Sequence, residues 1–439
     1  MILRKQACSL IFLMVMLSLQ AWRANAVTLT VDDAVDHALE GNLSIKQSDI
    51  ALRTSQRAKT FSWNSVAPSV SVNAQISKSL PATGLLKNDA DYSKDPTISI
   101  GGSVNMKLHP SVGTTVKGAS LNYEKQQLDY NTAVRTVELN VRETFYGILF
   151  EQENISLLEK NLETAKEIYG SNVTKYNKGL LPRLDVLNSQ LSYQNAKTSL
   201  ESAKVTLEND KSVFKQLLGL DLDTDITLDG SLDDILSIDD ISIDELSNHS
   251  SEVASIEKEI QIANNNLLAA RLSAYGPTLS GSYSYNLNKS LSDGADWMHG
   301  GTLSVGVSIP LDGFMPWSSG VQSIANQKDN IESLKLKLEN AKLSLKINCQ
   351  SYMNKINQLQ STISLRRQSI DYAKQSYDLT LDAYNNGKKD ILTLQNASDS
   401  LFQARVNLKS EAYSLIKVIL ELENTIGVPF GTLSKKEQL

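Results

Sequence analysis

Apolar residues recur every seven positions over long stretches of this chain. Val134, Val141, Ile148, Ile155, Leu162, Tyr169 and Tyr176 keep step in one stretch, and Cys349, Ile356, Ile363, Ile370, Tyr377 and Tyr384 in another. Two shorter stretches answer each other: Val186, Tyr193, Leu200, Leu207 and Phe214, then Leu394, Leu401, Leu408, Leu415 and Leu422. A straight helix drifts against a seven-residue period, so the seam stays on a partner only if the helices supercoil left-handedly. The pattern therefore predicts long coiled-coil helices rather than ordinary amphipathic helices on a globular core. Each long stretch ends in a similar break, "YNKGLLPRLD" from Tyr176 and "YNNGKKDILT" from Tyr384. Gly179 and Gly387 suit a left-handed helix stop, and Pro182 suits the first turn of the next helix. Two helical hairpins follow, at about 111–218 and 317–425. The first long helix would reach roughly 100 Å at ~1.5 Å per residue, which puts the breaks at distant tips.

Elsewhere the period falls from 3.6 to 2, the mark of strands. Val70, Val72, Ala74 and Ile76 alternate with Ser69, Ser71, Asn73 and Gln75. Ile98, Ile100, Val104, Met106 and Leu108 share one face, against Ser99, Ser103, Asn105 and Lys107. Leu279, Tyr283, Tyr285 and Leu287 alternate with Thr278, Ser280, Ser282 and Ser284; Leu303, Val305, Val307 and Ile309 alternate with Ser304 and Ser308. The predicted strands are about 69–79, 98–108, 278–288 and 302–311. Apolar on one face and small-polar on the other, they have the length of outer-membrane strands; a soluble sandwich would also alternate. Pro68, Pro110, Pro277 and Pro310 punctuate the junctions, and Trp63, Tyr92, Trp297 and Trp317 fall where an interfacial girdle would sit. Four strands cannot close a barrel, and an open edge in lipid costs several kcal/mol per group. Three copies would supply about twelve strands, within the range of such barrels.

Strands and hairpins come twice, in the order helix, strand, strand, long helix, break, helix. The predicted organisation is a first repeat over residues 27–220, an acidic connector at 221–242, a second repeat at 243–427 and a tail at 428–439. Residues 1–26 read as a secretory leader: Arg4 and Lys5 precede the apolar run Leu10–Leu19, and Ala24-Asn25-Ala26 offers a cleavage site. Removing Arg4, Lys5 and Arg23 with the leader leaves 40 of the 43 basic residues against 49 acids, a net −9. That balance disfavours nucleic acid as a partner. No later apolar run approaches the ~18 residues of a transmembrane helix, so a membrane-spanning chain must use strands.

Other chemistry is thin. Asp221–Glu245 carries ten acids and no base, and "DLDTD" invites a calcium loop. Ile226 and Leu232 then stand where such a loop needs Gly and Glu. A solvated connector, with short strands in a belt around the helices, fits better. His37, His109, His249 and His299 show no ligand spacing, Cys349 has no predicted base beside it, and no nucleotide or nucleophile motif occurs. The expectation is no enzyme, no cofactor and no metal.

The two-copy plan with Y-x-x-G tips resembles the TolC-type outer-membrane efflux family over essentially the whole mature chain. "YNKGLLPRLDVLNSQLSYQNAK" and "YNNGKKDILTLQNASDSLFQAR" carry the likeness most specifically. The resemblance implies a homotrimer, mainly α, with a twelve-stranded membrane β-barrel in outer-membrane lipid, continued by a periplasmic α-helical tunnel. It implies docking to a periplasmic adaptor (membrane fusion) protein and service to an inner-membrane pump or ABC exporter, as the passive exit duct of efflux or type I secretion. It implies an entrance latch of Asp185, Tyr384 and Lys389, and an entrance ring at Thr393 and Asn396, where relatives often carry aspartate. Gly179, Leu180, Leu181, Gly387 and Lys388 become adaptor-docking tips. The competing readings are a coiled-coil structural protein and a periplasmic adaptor.

Overall fold

The structure, a computed structural model, describes residues 27–78, 95–232, 237–238 and 250–435. The expected leader, Tyr92, His249, part of the acidic connector and the last residues of the tail lie outside the described residues. The elements are β1 (Val27–Leu29), α1 (Val31–Gly41), α2 (Leu43–Thr60), β2 (Ser69–Ser77), β3 (Thr97–Leu108), α3 (Val112–Asn177) and α4 (Arg183–Leu218). Then follow β4 (Ile226–Leu228), β5 (Ser237–Ile238), α5 (Ser251–Tyr275), β6 (Thr278–Ser290), β7 (Met298–Ser308), α6 (Ser319–Asn385), α7 (Ile391–Ile426) and β8 (Ser434–Lys435). They fall into two compact units, one of Met1–Asp49, Tyr130–Ser251 and Lys342–Leu439, the other of Ile50–Asp129 and Glu252–Ala341.

The second unit holds one four-stranded antiparallel sheet in the order β2-β3-β6-β7. Register sorts its faces. Val70, Val104, Tyr283 and Leu303 line up across all the strands; the same face carries Leu108-Leu279-Val307 and Ala74-Ile100-Leu287, the last of which meets His299 on β7. The opposite face carries Ser69-Asn105-Ser282-Ser304 and Ser71-Ser103-Ser284-Thr302, with the Ser71 and Ser103 hydroxyls bonded at 2.9 Å. Strand β7 starts at Met298, earlier than the alternation suggests, because Gly300 and Gly301 pair with Asn286 and Tyr285 without contributing to the apolar pattern. In the same unit, Lys258 Nζ meets Glu124 at 2.8 Å and the Asn265 side-chain amide donates to the Thr114 carbonyl at 2.8 Å.

The first unit holds α4 and α7 whole and the greater part of α3 and α6. Its core gathers Val137, Val141, Phe145, Ile148, Phe214, Leu218, Ile416 and Leu420 around α1 residues Ala34, Val35 and Ala38. Phe145 packs edge-on to Tyr146 at 5.7 Å. A short belt borders this core. Strand β4 of the acidic connector pairs in parallel with β1, and β5 pairs antiparallel with β8. The tail is pinned there: buried Glu423 accepts the Gly431 and Leu433 amides at 2.9 and 2.8 Å. Arg135 donates to the Glu423 and Val428 carbonyls, and its guanidinium lies 4.8 Å from the Phe430 ring.

Asn42 separates α1 from α2. Its carbonyl oxygen caps the Ser44 amide at 2.8 Å, and its amide donates to Leu217 O at 2.8 Å. Pro182 corrects the expectation for the first tip: it is the N-cap of α4, with ψ 154°, and Arg183 opens the helix. The extended ψ turns the chain out of the tip before helical geometry begins.

Candidate functional site

The residues singled out by sequence converge where α3 passes into α4 and α6 into α7. Both breaks end in left-handed glycines, Gly179 at φ 71° and Gly387 at φ 69°. The Leu180 amide returns to Lys175 O at 2.9 Å, and the Lys388 amide to Ala383 O at 2.8 Å. These bonds satisfy carbonyls that a helix end would orphan. Open space surrounds both glycines. Leu180 is exposed, Leu181 half-buried and Lys388 exposed.

The two tip tyrosines differ. Tyr176 is 42% exposed, whereas Tyr384 is 6% exposed and packs with Ile391 and Leu394 against Ile168, Tyr377 and Leu381. The Tyr384 hydroxyl donates to Asn172 Oδ1 on α3, and Lys175 Nζ sits 4.4 Å from the centre of its ring. Burial pushes the phenol above its usual range, and the nearby Asp185 carboxylate adds to the rise. Asp185 thus faces Tyr384 electrostatically from the first turn of α4 without receiving its proton. Lys389 is exposed, and among the described residues no ion pair joins it to Asp185.

At the expected ring, the Thr393 hydroxyl turns back onto Asp390, the N-cap of α7, at 2.7 Å, and the Thr393 amide reaches the same oxygen at 2.7 Å. Those bonds hold the Asp390 carboxyl below its usual range. Asn396 is exposed and its carbonyl accepts the Ser400 hydroxyl at 2.7 Å. Two residues escaped the sequence reading. Asp390 is an acid one helical turn from the ring. Asn172 is fully buried. Its signal was available: it continues the inner row Leu158, Ala165, Asn172, where a lone Asn in a coiled-coil seam sets register.

A family model described as outer membrane efflux protein matches residues 34–220 and again 242–428. The chain belongs to this family. Outer membrane protein TolC of Escherichia coli (strain K12) is 21% identical over 403 residues, 84% of this chain and 78% of TolC. The fold is similar to the Campylobacter jejuni CmeC outer membrane channel, with a TM-score of 0.72 at 18% identity over 90% of this chain and 85% of that one. It is also similar to the open state of the Neisseria gonorrhoeae MtrE outer membrane channel, with a TM-score of 0.72 at 16% identity over 91% and 89%. As an outer membrane efflux protein, the chain is a passive channel-tunnel of the outer membrane with a long periplasmic extension, and not an enzyme. No helix among the described residues is long and apolar enough to cross a membrane.

Proposed function

We propose that three copies of this chain close a twelve-stranded barrel in outer-membrane lipid, continued by a periplasmic helical tunnel. One observation carries this reading. The row Val70-Val104-Tyr283-Leu303 carries the sheet's apolar face across all four strands, while β2 and β7 each have one partner strand among the described residues. Backbone groups left open in lipid cost several kcal/mol each, and further copies supply the missing ladders. Trp63, Trp297 and Trp317 are exposed near strand ends, as an interfacial girdle requires. Two family matches of equal extent favour the two repeats, 27–220 and 243–427, joined by the connector at 221–242 and followed by the tail at 428–439.

The duct would serve a periplasmic adaptor and an inner-membrane pump or ABC exporter, which supply the energy. The adaptor would dock on Gly179, Leu180, Leu181, Gly387 and Lys388. Asp185, Tyr384 and Lys389 would latch the entrance, and Thr393 and Asn396 would line its ring. A Lys latch loses the bidentate pairing of Arg, and without aspartate at Thr393 and Asn396 the ring lacks the charge for strong cation selectivity. The test is native mass measurement of the detergent-extracted protein followed by planar-bilayer recording. A trimer whose conductance rises on Asp185→Ala supports the duct and its latch. A stable monomer in plain buffer overturns the barrel, and a non-conducting Asp185→Ala protein overturns the latch.

A further inference from the structure

A phenol has one hydrogen to donate, and at this entrance the Asn172 carbonyl oxygen takes that bond. The Tyr384 hydroxyl donates a hydrogen bond to Asn172 Oδ1, while the charge of the Asp185 carboxylate disfavours ionisation of the phenol. Asn172 is 0% exposed, and its Nδ2 is buried with no acceptor. An unmet N–H in such a place is costly, so this arrangement is not the best the site can make. Turning the Asn172 amide through about 180° would exchange its two ends. Its N–H would then donate to the phenol oxygen and the phenol proton would be free for Asp185, making a chain from Asn172 through Tyr384 to Asp185. Lys175 holds the ring in place in either state, since its contact is with the ring face and not with the hydroxyl.

We propose that Asn172 is a positioning residue of the entrance latch, and that the side of its amide facing Tyr384 decides whether the phenol bonds within the subunit's own seam or to Asp185. The inference rests on the latch reading above and adds a member that the tip motifs do not contain. Thr380 occupies the matching position of the second motif, so a carboxamide here is particular to the first long helix.

The test is single-channel conductance of the full-length protein in planar bilayers, with Asp185→Ala, Asn172→Leu, Asn172→Asp and Tyr384→Phe compared. One hydrogen bond to a neutral partner shifts an equilibrium by about two- to tenfold. Asn172→Asp can accept from the phenol but cannot return an N–H to its oxygen, so it keeps the phenol in the seam and raises open-state occupancy by at least that factor. Asn172→Leu removes one bond from each state and stays within about twofold of the parent. In a Tyr384→Phe background, Asn172→Asp has no further effect, because the hydroxyl through which it acts is gone. If Asp185→Ala opens the channel while Asn172→Asp matches the parent, Asn172 has no part in the latch, which itself survives. If neither changes conductance, the latch reading falls. Should Asn172→Asp fail to assemble, Asn172→Leu still decides: a change there beyond about twofold, or one that persists in Tyr384→Phe, overturns the proposal as mere packing.

Discussion

Glu423 shows how one side chain organises a segment far from it in sequence. It has no exposed surface, and its two oxygens each take one amide of the returning tail. Glu423→Gln keeps the shape but points an amide at one of those N–H groups. The expected loss is about 1–3 kcal/mol, read as faster hydrogen exchange at Gly431 and Leu433 with the four-stranded sheet unaffected. Burial also holds the Glu423 carboxyl above the ordinary value of 4.5, opposed by the two amides and by Arg142 and Arg135. In the window above 4.5 the folded chain therefore keeps a proton that the unfolded chain has lost. Stability falls as pH rises through that window and levels off beyond the raised value. A urea midpoint followed against pH should show this slope in the parent and lose this contribution in Glu423→Gln. Cys349, buried on the seam with its thiol pushed up by burial, should resist a thiol reagent until denaturant is added.

Among the elements, the glycine caps separate two costs that are usually merged. Gly179 and Gly219 share a left-handed backbone, at φ 71° and 72°. A Cβ at Gly179 would meet nothing, whereas at Gly219 it would strike the Gly41 backbone 2.5 Å away. Gly179→Ala should cost only the left-handed penalty, about 1–2 kcal/mol. Gly219→Ala adds overpacking of about 1–3 kcal/mol at the α1–α4 contact. Helix signal at 222 nm on heating measures both; equal midpoints would show that the Gly41 contact yields freely. The helices themselves were legible because a seven-residue period is written locally. The α1–α2 division was less so, since its cause, Asn42 bonded to Leu217 O, lies across a long stretch of chain.

For the whole molecule, closure in lipid sets the demand. Leu303 is 75% exposed on the apolar face of the edge strand β7, and Ser304 beside it points to the polar face. Leu303→Lys at mid-strand should cost about 2–4 kcal/mol if that face meets the bilayer core. Ser304→Lys, facing water, should be tolerated. The measurement is the fraction of heat-modifiable oligomer in outer-membrane extracts. Equal assembly of the two variants would place β7 away from lipid.

Taken alone, the sequence determined the periodicities: seven-residue seams, alternating strands, glycine breaks and the tip motifs that point to the efflux family. Each is a relation between near neighbours, and backbone geometry turns such relations directly into helices, strands and caps. Only the tertiary structure decided that Tyr176 stands in the open while Tyr384 is buried, that Asn172 rather than Asp185 accepts the hydrogen bond of the phenol, and that connector strands pair with the first and last of the described strands. Those outcomes depend on which distant groups share a buried space. There a polar atom must find a partner among whatever packing brings near, and no local pattern records which one it will be.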